Sequence, residues 1–299
     1  MSLVPPPRLT YLPIASATQA KIRLYWLCRF HFSLSPNIIR EICLFLSHSV
    51  CILHESKGYC YLYHIPSQKQ IIVPIPEYYR DFGETSAWRA VCIGDYQVVA
   101  CGGIRDSYPC VQTYLVNAGN LCRLEDMKKH RAFHAMLYYD FTHTMYVFGG
   151  AEGPNSKLAA CEKFHIVTMK WTAVADMTTA KSHICACQHL TSVYILGDSA
   201  GRIETFSLVT EAFRELPKVV SPLDVLFVGV VRDELVVVTE NSLQKVRLAD
   251  WKITCMWRRD YRQCSAGLQH TSLYILHSDS VSLFHCLSDD MPQSLPFES

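Results

Sequence analysis

Charged side chains are scarce in this sequence. Asp, Glu, Lys and Arg make up 18% of the 299 residues, and 28 cations offset 27 anions. A formal net charge of +1 leaves no overall field to draw the chain to nucleic acid or to a membrane surface. Low charge beside 49% hydrophobic residues excludes a disordered chain. Long apolar runs are also lacking. Arg40 and Glu41 break the stretch 37–53, and Arg232, Asp233 and Glu234 break 226–238. Neither can span a bilayer as a helix. The second reads as two valine-rich strands around a charged turn. Prolines in MSLVPPPR interrupt any signal-peptide core.

Motifs for chemistry are absent too. The 14 cysteines form no CxxC pair, and the closest spacing is Cys185 with Cys187. That excludes a zinc ribbon and a redox motif, and it points to reduced cytoplasmic thiols used as small apolar filler. No GxSxG, HExxH, P-loop or GxGxxG occurs. His130 and His134 flank Arg131, but no further ligands complete a metal set. The expectation is no catalytic, metal or cofactor site.

What the sequence does have is a repeat. EKFHIVTMKW at Glu162 and ETFSLVTEAF at Glu204 share Glu, an aromatic at the third place, Val-Thr, and an aromatic at the tenth. QTYLVNAGNL at Gln112 fits the frame with Tyr114 third and Leu121 tenth. Weaker copies start at Tyr61, Ser242 and Ser282. Each copy follows a short apolar run closed by small or polar residues, such as QVVACGG, MYVFGG, VYILGD and LVVVTE. Such runs read as buried strands ending in tight turns. Further apolar segments lie before and after, giving four short strands every 40–50 residues or so, the period of a propeller blade. The fold expected is an all-β, six-bladed β-propeller of four-stranded antiparallel blades over 49–299, with a short N-terminal extension over 1–48.

The unit from Arg131 to Met177 resembles a kelch repeat. Gly149 and Gly150 match its paired glycines, Phe164 its third-strand aromatic and Trp171 the Trp that opens its fourth strand. The next unit departs at Asp198 and Phe213, and the previous one keeps Gly102, Gly103 and Tyr114 but has Leu121. A WD-type propeller shares the blade, yet the sequence holds no Trp-Asp dipeptide and no Gly-His opening. The resemblance implies that Phe164, Trp171, Phe206 and Phe213 are core residues. Residues 34–46, LSPNIIREICLFL, allow a short helix over 37–47, similar to the first helix of an F-box, or the innermost strand of the first blade. SLPF at 294–297 is a candidate strand for closing the ring, as are residues 1–20.

With no chemistry in view, the expected function is binding. In an antiparallel blade the second-to-third loops and the blade-to-blade links emerge at one end. They supply Tyr78, Tyr79, Arg80, Arg105, Tyr108, Arg131, Arg258 and Tyr261, residue types that serve as interface anchors. The basic run Lys128–Arg131 reads as solvated loop charge. The partner expected is a protein or peptide, acidic enough to pair with these arginines, bound by a monomeric cytoplasmic propeller. A ubiquitin-ligase substrate receptor is the alternative if residues 34–46 act as an F-box helix, and an enzyme with a site at the channel is a third.

Overall fold

The computed structural model describes residues 51–56, 59–64, 69–74, 88–94, 97–117, 120–197, 202–220, 225–258, 265–269, 272–276, 280–285 and 293–296. All belong to the compact unit Ser49–Ser299. The F-box-like segment 34–46 and residues 1–20 lie outside the described residues.

Second strands show why apolar runs dominate this sequence. Thr144–Phe148 is buried at every position, and so are Val98–Cys101 and Leu235–Thr239. A strand covered on both faces by neighbouring sheets has no polar side, so it reads as a continuous apolar run. The outermost strands differ: in Lys170–Val174 only Trp171 is buried.

Each strand pairs antiparallel with the next one along its sheet. Four sheets are described in both backbone and side chains. The first of these contains Arg89–Gly94, Gln97–Cys101, Thr113–Asn117 and Asn120–Arg123. The second contains Ala135–Tyr139, Thr144–Phe148, Cys161–His165 and Lys170–Val174. The third contains Ile184–His189, Ser192–Gly197, Arg202–Ser207 and Phe213–Val220. The fourth contains Val225–Val231, Glu234–Thr239, Ser242–Arg247 and Ile253–Arg258. A further four-stranded sheet follows, from Ser265–Gln269 to Gln293–Pro296. A three-stranded sheet, Cys51–Ser56, Tyr59–His64 and Lys69–Pro74, precedes them all. The first unit therefore falls one strand short of the four expected, among the described residues.

The first strands of successive sheets pack side by side, and the first strand of the last sheet meets Cys51–Ser56. The fold is an all-β propeller with four-stranded antiparallel blades. The candidate closing segment falls in Gln293–Pro296, the outer strand of the last sheet, paired with Ser280–His285.

The cores lie between blades. One cluster joins Tyr146, Phe148 and Cys161 to Ile184, Val193, Ile195 and Phe206 of the next blade. Another joins Cys185, Cys187 and Leu196 to Val228, Leu235 and Val237. Phe164 and Phe206 are fully buried and Trp171 nearly so, whereas Phe213 is half-buried. Paired glycines end two second strands in matching conformations, with φ 64° and 104° at Gly102 and Gly103, and 53° and 103° at Gly149 and Gly150. A Cβ on Gly150 would lie 2.7 Å from the carbonyl oxygen of Ala132 in the adjoining link, so only glycine fits both the turn and the approach.

The copies of the frame at Gln112 and Ser242 sit two residues out of register. Thr113 pairs with Cys101 as Cys161 pairs with Phe148, so Tyr114 takes the place of Glu162, and Val116 that of Phe164. In the later blade Leu248 N–H donates to Asp233 O as Ile166 N–H donates to His143 O. Val246 therefore takes the aromatic place, and Gln244 the place of the frame glutamate. Among the described residues no helix is long and apolar enough to cross a membrane.

Candidate functional site

The frame glutamates have buried partners one link upstream. Arg131 and Glu162 are both withdrawn from solvent, and Arg131 Nη2 lies 2.5 Å from Glu162 Oε1. Arg131 Nη1 donates to the carbonyls of Gly149 and Ala160 at 2.8 and 2.9 Å. Glu162 also accepts from the backbone N–H groups of Lys128 and Lys129. The next blade repeats the device. Lys181 Nζ lies 3.0 Å from Glu204 Oε1, and Glu204 accepts from Thr178 N–H and the Thr179 hydroxyl. Charges this deeply buried are tolerated only when paired and hydrogen-bonded. Trp171, at the tenth frame place, adds a third tie through Nε1–H donating to Glu125 O at 2.8 Å.

Arg131 is thus corrected from a solvated loop charge and partner anchor to a fully buried latch. Burial alone would raise the pKa of Glu204, but hydrogen bonds from Thr178 and Lys181, and the Lys181 charge, hold it below the ordinary carboxylate value. Its contribution to stability is therefore complete above the unfolded-state pKa and is lost as pH falls through the lower folded-state pKa. Glu204→Gln is expected to flatten the fall in stability on the acid side of the usual carboxylate range. Urea midpoints measured against pH for parent and variant check this, and parallel curves would contradict it.

The latched links hold two small hairpins that project from the blades. Arg131 N–H donates to Cys110 O, and Ala132 exchanges two backbone hydrogen bonds with Ala151 at 3.0 and 2.7 Å. The hairpin Ile104–Arg105 with Tyr108–Pro109 turns through Asp106 and Ser107, both with positive φ. A two-residue turn of that kind matches the twist of its strands. Its neighbour pairs Ala151–Gly153 with Ser156–Lys157. Between the two lies a cleft of about 380 Å³, lined by Arg105, Asp106, Tyr108, Gln112, His130 and Glu152 among others. Tyr108 is 76% exposed, and Arg105 is partly covered beside Asp106.

Arg105 and Tyr108 are therefore brought together as expected from their loop. Arg258 ends the strand Ile253–Arg258, opposite Ser242. Tyr78, Tyr79, Arg80 and Tyr261 lie outside the described residues. His130 lines the cleft while His134 is enclosed between blades, so this pair shares no site. Burial, then the charges of Arg131 and Arg89, hold the His134 pKa well below its usual value and keep the ring neutral. Burial pushes the Cys101 thiol up to about 12 against the pull of Arg131. Such a thiol is protonated at neutral pH and a poor nucleophile. Among the described residues no three His, Cys, Asp or Glu side chains gather as a metal cluster.

The buried cations could have been found from Met127 and Met177. Each precedes its cation by four residues, and each donates its N–H back to the preceding blade, to Val111 O and Ala159 O. The sequence offered His130 only as half of a histidine pair and part of a basic run, and gave no signal for Glu152, because only the folding of two hairpins against one link brings them to the cleft.

A scan against protein-family models and a search of curated proteins return no match to this chain.

Proposed function

We propose that this protein is a non-catalytic interaction module, an adaptor or scaffold, that holds a peptide or partner protein at the hairpin end of a kelch-type propeller. The cleft carries this reading. A largely exposed tyrosine beside an arginine, on hairpins fixed by buried ion pairs, is a preorganised anchor site. The ring is read as six-bladed, because six sheets follow one another and their first strands meet in a closed sequence. The kelch reading rests on the two matching glycine pairs and on the buried aromatics Phe164 and Phe206. A cytoplasmic setting is supported by free thiols at all seven described cysteines that the structure characterises. Arg105 favours an acidic group in the partner, while Asp106 and Glu152 favour a basic one next to it.

A second reading places the partner at the opposite end, where the first-to-second and third-to-fourth turns emerge. Phe141, Val167 and Val209 are exposed there by 63%, 56% and 72%. Peptides selected from a random displayed library against the whole protein separate the two. Tyr108→Ala is expected to weaken the selected peptides by about 2 kcal/mol, roughly thirtyfold, and Lys170→Ala at the turn end to leave affinity unchanged. Loss with Phe141→Ser but not with Tyr108→Ala would move the partner to the turn end.

A further inference from the structure

Where the blades over 89–123 and 135–174 meet, three sulfur and nitrogen donors come together. Cys101 ends the second strand of one blade, Met136 lies in the first strand of the next, and His134 closes the link before it. Strand register gives each an equivalent one blade on: Phe148 for Cys101, Ile184 for His134 and Ala186 for Met136. Those three belong to the apolar core of the following interface. Hydrocarbon therefore fills these places one blade on, and soft donors replace it here.

The spacing suits a metal. Cys101 Sγ lies 3.6 Å from His134 Nε2 and 3.8 Å from Met136 Sδ. Take bonds of about 2.3 Å to sulfur and about 2.0 Å to nitrogen, as at zinc. In a trigonal plane they put sulfur and nitrogen about 3.7 Å apart, and two sulfurs about 4.0 Å. Both observed distances agree to within about 0.2 Å, the tolerance of a real site. All three side chains are buried, and Met136 keeps the most exposure, at 7%. Its flexible thioether is the ligand able to swing aside and admit an ion.

Hydrogen bonding does not account for the histidine. Its Nδ1 has no partner among the described residues, and its Nε2 faces the Cys101 sulfur. A buried polar atom left unpaired costs stability and calls for a reason. Ile184 packs the equivalent place without that cost.

The donor set selects the metal. A thiolate, a thioether and an imidazole favour a soft ion, whereas zinc takes four harder ligands in a closed site. Charge points the same way. Burial, then the charges of Arg131 and Arg89, keep the His134 ring neutral, so it offers a lone pair. Those cations would repel a divalent ion. A monovalent ion that replaces the thiol proton leaves the net charge unchanged. The metal–sulfur bond forms as the S–H bond of Cys101 breaks, the proton leaves to solvent, and no electron is transferred.

We propose that Cys101, His134 and Met136 form a trigonal site for monovalent copper, Cu(I), enclosed between two blades. Bound there, the ion ties the second strand of one blade to the link and first strand of the next. The site stands apart from the peptide-binding reading, and neither depends on the other.

The test uses the full chain, reduced and free of oxygen, with Cu(I) supplied as its bicinchoninate complex. Loss of the complex's colour reports copper taken by the protein, both at equilibrium and after refolding from urea beside the complex. The parent is expected to hold its tightest equivalent about a hundredfold more strongly than Met136→Leu or His134→Ile. Loss of an outer-shell partner costs roughly 10–100-fold, and loss of a ligand costs at least as much. Absorption at the copper K edge is expected to show two sulfurs and one nitrogen in the parent, and one sulfur fewer in Met136→Leu. A loss of less than about tenfold in either variant would place the copper on other cysteines and overturn the site. A parent that takes no copper by either route overturns it too. His134→Ile copies the filling of the next interface. If it does not fold, Met136→Leu, which conserves volume, decides alone.

Discussion

Glu162→Ala is expected to destabilise the protein by about 3–5 kcal/mol, because it leaves a buried guanidinium without its counter-charge. Arg131 has no exposed surface through which to regain water. Its remaining acceptors, the carbonyls of Gly149 and Ala160, are neutral. The same change removes the acceptor for the N–H groups of Lys128 and Lys129, so the link loosens at two further points. Removing both charges is different. Arg131→Met with Glu162→Leu fills the space with apolar atoms and is expected to recover most of the loss, since buried pairs offset a large desolvation cost. Urea unfolding of parent, Glu162→Ala and the double variant measures this. A Glu162→Ala loss under about 1 kcal/mol would mean that the pair behaves like an exposed one.

Phe206→Ala carries the other large effect, about 3–5 kcal/mol. Its ring is fully buried and lies 5.3 Å from Phe148, 5.6 Å from Tyr146 and 4.7 Å from Phe213, centroid to centroid. Phe148 and Tyr146 belong to the preceding blade, so the cavity would open between blades, where two rigid sheets close poorly around it. A fall in melting temperature of roughly 10 °C follows for a domain of this size. Phe213→Ala, at a half-buried position, should cost less. A larger loss at Phe213 than at Phe206 would show that the blades are not held by the third-strand aromatic.

Much of the fold was legible because the blade imposes its pattern locally. Second strands lie between neighbouring sheets, which is why MYVF and VVAC carry no polar alternation. Gly149 and Gly150 are visible because no other residue fits their turn. What the sequence hid is contact between blades. Glu162 and Glu204 stood out as a recurrence, but their cations lie 31 and 23 residues upstream in a different element. Arg131 was disguised by Lys128, Lys129 and His130, which make its surroundings look solvated although its own side chain is enclosed. The frame slipped by two residues at Gln112 and Ser242 because aromatic residues there serve other places. Tyr114 stands where the next two blades have glutamate, and Trp251 forms a left-handed turn and packs on Tyr194 of the preceding blade.

The site was legible as a loop cluster, and Arg105 with Tyr108 does face a cleft. Exposure of Phe141, Val167 and Val209 at the turn end was not legible, because it depends on how tightly the turns fold back. Hydrogen–deuterium exchange on the whole protein, with and without a library-selected peptide, compares the two ends in one measurement. The account predicts slowed exchange over 103–109, 127–133 and 151–157. Slowing confined to 140–142, 166–170 and 208–211 would contradict it.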